Sequence, residues 1–217
     1  MRRYDFNQSN ADHTLFLKHQ QGKVTSPIIY VDDMIITGDD TKEISRLQEQ
    51  LAVEFEMKKL DGLKFFLGIE VTRSQREILL SQRKYVLTYW AEVGLLDCNP
   101  PDTPIVQNHK LSQHTNQVPT DKGRYKKLVG KLIYLLCTRP DIAYVVSVVS
   151  QFIHNPSEEH MDVVKQILRY LKASPGKGLM FSKNNHLNVE GYTDADWAWN
   201  VLDRKSTSRY FTFVEGI

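Results

Sequence analysis

The sequence predicts an α+β chain in three successive stretches. Three observations carry this. Up to Gln82, apolar runs are broken by turn signals, as in antiparallel hairpins. From Arg124 to Ala173, leucines and valines recur at helical spacing. After "SPGKG" the pattern returns to short strand-like runs.

In chain order, "HTLFLKHQQGKVTSPIIYVDDMIITG" reads as strands joined by turns at "QQGK" and "DD". Asp40 and Glu43 have capping-box spacing. Ile44, Leu47, Leu51 and Phe55 then form an apolar helix stripe. "LKFFLGIEVTRSQREILLSQ" predicts a hairpin turning near "SQRE", with Phe65, Leu67 and Ile69 on a buried face. A helix over "RKYVLTYWAEVG" ends at Gly94. The proline-rich stretch from Leu95 to Gly123 predicts a long connecting arm. Three helices follow. The first buries Leu128, Leu132 and Leu135, with Gly130 suited to close packing. The second has Pro140 in its first turn, where a missing N–H does no harm. The third buries Val164, Ile167, Leu168 and Leu171. "GLMFSK", "NVEGYTDADW" and "SRYFTFVEG" read as strands of a new sheet.

At 217 residues the chain can bury a sizeable core. Its net charge of +2 names no partner, so any nucleic-acid site must be a local patch. Cys98 and Cys137 form no CxxC pair, which predicts free thiols in an intracellular protein. The N-terminus shows no signal-peptide h-region, and no apolar run approaches the ~20 residues of a membrane span. The seven histidines form no zinc spacing, and Trp90, Trp197 and Trp199 read as packing residues.

Asp32 and Asp33 lie between "SPIIYV" and "MIITG". An unpaired carboxylate opposes burial. At a hairpin tip two neighbouring carboxylates can be re-aimed together, and a divalent cation relieves their repulsion. Oxygen ligands suit magnesium. The plain alternative is an acidic turn, since aspartate is common in turns.

The flanking residues bear on this choice. "YVDD" between "II" and "MIITG" resembles the active-site hairpin of reverse transcriptases. "FFLGIEV" to "LSQRKYV", "DTPI", "KLVGKLIYLLCTRPDIAYVVSVVSQFIHNPSEEHM", "ILRYLKASPGKGL" and "YTDADWA" with "DRKSTS" continue the resemblance. In that order they are similar to the Pol polyprotein of copia-type LTR retrotransposons, over essentially the whole chain.

The resemblance implies a fragment covering the C-terminal half of the reverse transcriptase and the start of the ribonuclease H domain. Residues 1–105 would be the palm's C-terminal part with a primer-grip-like hairpin. Residues 106–175 would be the arm and helical thumb or connection, and 176–217 a truncated ribonuclease H-like domain. Asp32 would be the main magnesium ligand (or manganese) and Asp33 the weaker one. Tyr30 and Val31 would line the primer terminus and incoming nucleotide. The third palm carboxylate is expected before residue 1, since Asp5 and Asp12 sit in no matching motif. Asp194 would be the first metal ligand of the ribonuclease H site, with its companions after residue 217. Lys165, Arg169 and Lys172 share a helix face that could hold phosphates of the primer–template duplex, and Lys126, Lys127 and Lys131 cluster similarly. Both faces read equally as solvated surface. The implied partners are an RNA template, a DNA primer and dNTPs, in the cytoplasm (in a virus-like particle) or nucleus, with no membrane. The resemblance is silent on oligomeric state.

The sequence departs from the family in three places. Pro27 stands at an aliphatic position and is expected to shorten its strand. Trp199 and Arg209 replace glycines, which predicts backbone strain. Two readings follow: part of an RNA-directed DNA polymerase working by two-metal transfer, or a catalytically inactive remnant that at most binds nucleic-acid duplex.

Overall fold

The computed structural model describes residues 1–58, 60, 62–93, 99–106, 111, 117–182, 189–196 and 206–214. It is an α+β structure of antiparallel sheets and helices. It divides into two compact units, residues 1–66 and 67–217.

The first unit starts with a 3-10 turn (Arg2–Tyr4) and a four-stranded antiparallel sheet. Its strands, in both chain and spatial order, are β1 (Asn7–Gln8), β2 (Phe16–Gln20), β3 (Lys23–Tyr30) and β4 (Asp33–Gly38). The β2–β3 turn is the predicted one: Gln21 and Gly22 have φ of 50° and 76° between the paired Gln20 and Lys23. Pro27 does not shorten β3. It is buried opposite Ile36, and the β3–β4 ladder is continuous from Thr25 to Tyr30. The β2–β3 ladder runs only to Thr25 and resumes at an isolated Leu15–Ile28 bridge. The interruption spans Pro27, which has no N–H to give. At Gly38, φ is 147° and a Cβ would overlap the Val24 carbonyl oxygen, so glycine is required where β4 leaves the sheet.

Helix α1 (Thr41–Phe55) packs on this sheet through Leu47 and Leu51, with Phe6 completing the buried cluster and Phe16, Met34 and Ile36 against it. Asp40 caps it by accepting from the Glu43 N–H (3.1 Å). Glu43 does not complete the predicted box. Its buried carboxylate binds Lys18 of β2 (2.9 Å) and Arg46 (3.3 Å), because an ammonium across the sheet is a stronger partner than a backbone N–H. Phe55, expected in the stripe, is 60% exposed at the last turn. A two-residue strand, β5 (Phe65–Phe66), ends the unit.

The second unit contains a hairpin, β6 (Ile69–Arg73) and β7 (Glu77–Ser81), turning where predicted, with Ser74 N–H on the Glu77 carbonyl (2.8 Å). The expected Phe65–Leu67–Ile69 alternation is broken. Leu67 and Gly68 have φ of 47° and 78°, and Phe65 is 55% exposed. Strand β8 (Gly178–Ser182) does not open a new sheet. It pairs with β7, Leu79 opposite Met180, extending the hairpin across about a hundred residues of chain. Strands β9 (Val189–Asp196) and β10 (Thr207–Val214) form a separate antiparallel ribbon. Arg209 holds an ordinary ladder position opposite Asp194, without the positive φ a glycine would mark. Trp197, Trp199, Gly94 and Cys98 lie outside the described residues.

The core is made by α2 (Arg83–Val93), α3 (Lys122–Leu135), α4 (Ala143–Ser150) and α5 (Glu158–Lys172). The predicted leucines of α3 and the whole apolar face of α5 are buried, joined by Tyr125, Val129 and the valines of α4. Three buried donors tie the helices to each other's carbonyls. Tyr89 reaches Leu128 (2.8 Å), Tyr125 reaches Val149 (2.7 Å), and Trp90 Nε1 reaches Leu168 (3.0 Å). Burial pushes both tyrosine hydroxyls far up, so they act only as neutral donors. Pro140 opens the 3-10 turn leading into α4, as predicted. Ser157 and His160 form a capping box on α5, the His160 Nδ1 accepting from the Ser157 N–H (3.0 Å).

Gly130 is exposed, and a Cβ there would meet nothing within 4 Å. It does not mediate the close packing expected of it. Gly130→Ala is therefore expected to stabilise the protein by about 0.5–1 kcal/mol, through helix propensity alone, in a urea titration.

Candidate functional site

The acidic hairpin is tighter than the sequence suggests. Tyr30 and Asp33 are already ladder partners, so the turn proper is Val31–Asp32. Asp33 shares its sheet face with Tyr30, while Met34 points to the other face, against the α1 cluster. Val31 has a φ of 50°, an uncommon conformation for a β-branched residue, and it is 82% exposed. Tyr30 is 49% exposed, and both aspartates are exposed. The tip thus presents an aromatic ring, an apolar side chain and two carboxylates to solvent.

Magnesium asks for near-octahedral oxygen ligands and is often held by one or two carboxylates plus substrate phosphates and water. Asp32 and Asp33 fit that donor chemistry. The described residues do not bring a third acidic, His or Cys ligand to them or to any other group. Asp12 is not available: its carboxylate accepts from the Thr14 N–H (2.8 Å) and hydroxyl (2.7 Å) in a local turn. The acidic pair alone does not make the paired-ion site of two-metal transfer.

The residues predicted to touch nucleic acid fare differently from one another. Lys165 is half-spent on Asp162 (2.8 Å). Arg169 lines a shallow groove of about 480 Å³ with Asn99, Pro100 and Pro101 of the arm and with Gln166. The described end of the arm is stitched to the start of α5, Glu158 N–H donating to the Val118 carbonyl (2.9 Å). Lys172 is half-buried in the last turn of α5. In the second lysine cluster, Lys131 and Lys127 both pair with Glu92 of α2, while Lys126 and Lys127 remain exposed. Asp194 is exposed on β9.

One arrangement escaped the sequence reading. Arg139 is 1% exposed and fully engaged. It binds Asp141 bidentately (2.9 Å twice) and donates to the Ser174 carbonyl (2.9 Å). Asp141 also accepts from Tyr170 (3.1 Å) and Lys177 (3.2 Å). Burial pushes the Asp141 carboxyl up, but the hydrogen bonds and charges of Arg139 and Lys177 outweigh it and hold it well below the usual carboxylate range. The motif "TRPD" was visible, but nothing local marks its arginine as buried.

A family model described as reverse transcriptase (RNA-dependent DNA polymerase) matches residues 1–107. The Pol polyprotein of transposon RE1 from Arabidopsis thaliana is 38% identical over 96% of this chain. That of transposon TNT 1-94 from Nicotiana tabacum is 40% identical over 87%. An uncharacterized mitochondrial protein of Arabidopsis thaliana, AtMg00810, is 38% identical over 86% of the chain and 78% of its own length. The chain belongs to the retrotransposon Pol family of reverse-transcriptase-related proteins. It spans only 14% and 15% of the two transposon polyproteins. No solved structure matches it. Within this Pol family chain, the matched reverse-transcriptase region includes the whole acidic hairpin. No described helix is long and apolar enough to cross a membrane.

Proposed function

We propose that this chain, acting alone, is a non-catalytic nucleic-acid-duplex binder of copia-type retrotransposon descent. The observation that carries the reading is the incomplete donor set at the acidic turn: two carboxylates, and no third among the described residues. Within a longer polymerase, Asp32 and Asp33 would hold magnesium or manganese, which supplies charge stabilisation for nucleotidyl transfer. Tyr30 and Val31, exposed beside them, would face the primer terminus and the incoming dNTP. The helical unit would take the thumb's place on an RNA-template–DNA-primer duplex. Asp194 would belong to a ribonuclease H-like strand. The setting would be intracellular, in a virus-like particle or the nucleus.

The test is primer extension on an RNA template with the purified chain, in magnesium and in manganese. No extension is expected. Extension that disappears in Asp32→Asn would overturn the reading and restore the polymerase.

A further inference from the structure

The second unit carries a cluster of cations that neither the acidic turn nor the predicted α5 face explains. Strand β7 runs into α2, and the loop after α5 runs into β8. The pairing of Ser81 with Gly178 sets these two connections side by side. Arg83, exposed in the first turn of α2, has its Cδ 3.8 Å from where a Gly176 Cβ would lie. Lys84 is exposed next to it, and Lys177 is exposed one residue beyond Gly176.

Two described acids lie against these connections. Asp141 is gripped bidentately by Arg139, so Lys177 is its second, longer partner. Glu70 accepts from the Lys84 backbone N–H (3.2 Å) and the Ser81 hydroxyl (3.5 Å). Counting Arg83, Lys84, Arg139 and Lys177 against Glu70 and Asp141, these described residues carry net positive charge. The stability of α2 does not ask for Arg83 and Lys84. Cations in the first turn of a helix oppose its dipole, and α2 has no acid there to offset them. A surface of this kind, on a chain whose overall charge is close to neutral, fits a polyanion.

We infer that the corner formed by Arg83, Lys84 and Lys177 is a phosphodiester-backbone contact surface, separate from the predicted α5 face. The inference rests on the duplex-binding reading above. Phosphate contacts of this kind position a duplex without reading its sequence.

The experiment measures affinity of the full chain for a 20-base-pair RNA–DNA hybrid by fluorescence anisotropy between 50 and 200 mM salt. Each lost phosphate contact should reduce the slope of log affinity against log salt by about 0.9. Arg83→Ala/Lys177→Ala is expected to flatten the slope by about 1.8 and weaken binding about tenfold or more at low salt. Lys42→Ala, at an exposed lysine of α1, should change neither by as much. Arg83→Gln alone, at a position with no ion pair among the described residues, should take off about half the slope change without touching the Asp141 cluster. Arg83→Lys should restore it. Wild-type binding with an unchanged slope in both the double variant and Arg83→Gln overturns the corner and leaves duplex binding standing. Failure of the wild type to bind the hybrid overturns the duplex-binding reading and the corner with it.

Discussion

Asp141→Asn is expected to destabilise the helical unit by about 3 kcal/mol. Arg139 is 1% exposed and cannot reach water. Its charge is balanced inside the fold by one carboxylate, whose side chain is 20% exposed. Removing that charge leaves a buried guanidinium with only neutral amide, carbonyl and hydroxyl partners, the costly half of a broken ion pair. In a chain of this size the loss should lower Tm by roughly 6–12 °C. The pH dependence has a definite sign. The folded carboxyl sits below its unfolded value of about 3.9, so its contribution is present in full above that pH. It fades as pH falls toward the lower folded value. The gap between wild type and Asp141→Asn should therefore be widest near neutrality and narrow below about pH 4. A gap that widened in acid would show that the carboxylate is not the ionised partner of Arg139.

Trp90→Ala carries the other large effect, about 3–5 kcal/mol. The indole is 4% exposed, sits in the helical core, and spans from α2 to the Leu168 carbonyl of α5. Alanine opens a cavity that backbone relaxation only partly fills. Trp90→Phe retains most of the packing and loses the N–H, so it should cost about 1–2 kcal/mol, of which the hydrogen bond supplies about 1. Chemical denaturation of both variants separates the two contributions. If Trp90→Ala were near neutral in stability yet abolished nucleic-acid binding, Trp90 would be a stacking platform and not a core residue.

The two effects lie in parts of the chain that were unequally legible. The stripe Val164, Ile167, Leu168 and Leu171 announces its helix and its buried side, because a 3.6-residue period is a local property. The turn at Gln21–Gly22 and the cap at Asp40 are legible for the same reason: one or two residues carry the whole signal. The acidic turn was legible as a feature, and its flanking residues pointed to the family that the comparisons show. Its tightness was not legible, because the register that makes Tyr30 and Asp33 partners depends on the entire β3–β4 ladder.

Sequence by itself thus determined the element types, most of the helical core, and the pair of carboxylates at the hairpin tip. Tertiary structure alone decided which distant segments meet. It paired β8 with β7 and set Arg83 beside Gly176. It turned Glu43 from a capping residue into the counter-ion of Lys18, left Phe55 in solvent, and buried Arg139 against Asp141 and Ser174. The reason is physical. Local periodicity encodes which side of an element is apolar, whereas a strand edge, a carboxylate or a guanidinium is satisfied by whatever complementary group the folded chain brings within about 3 Å.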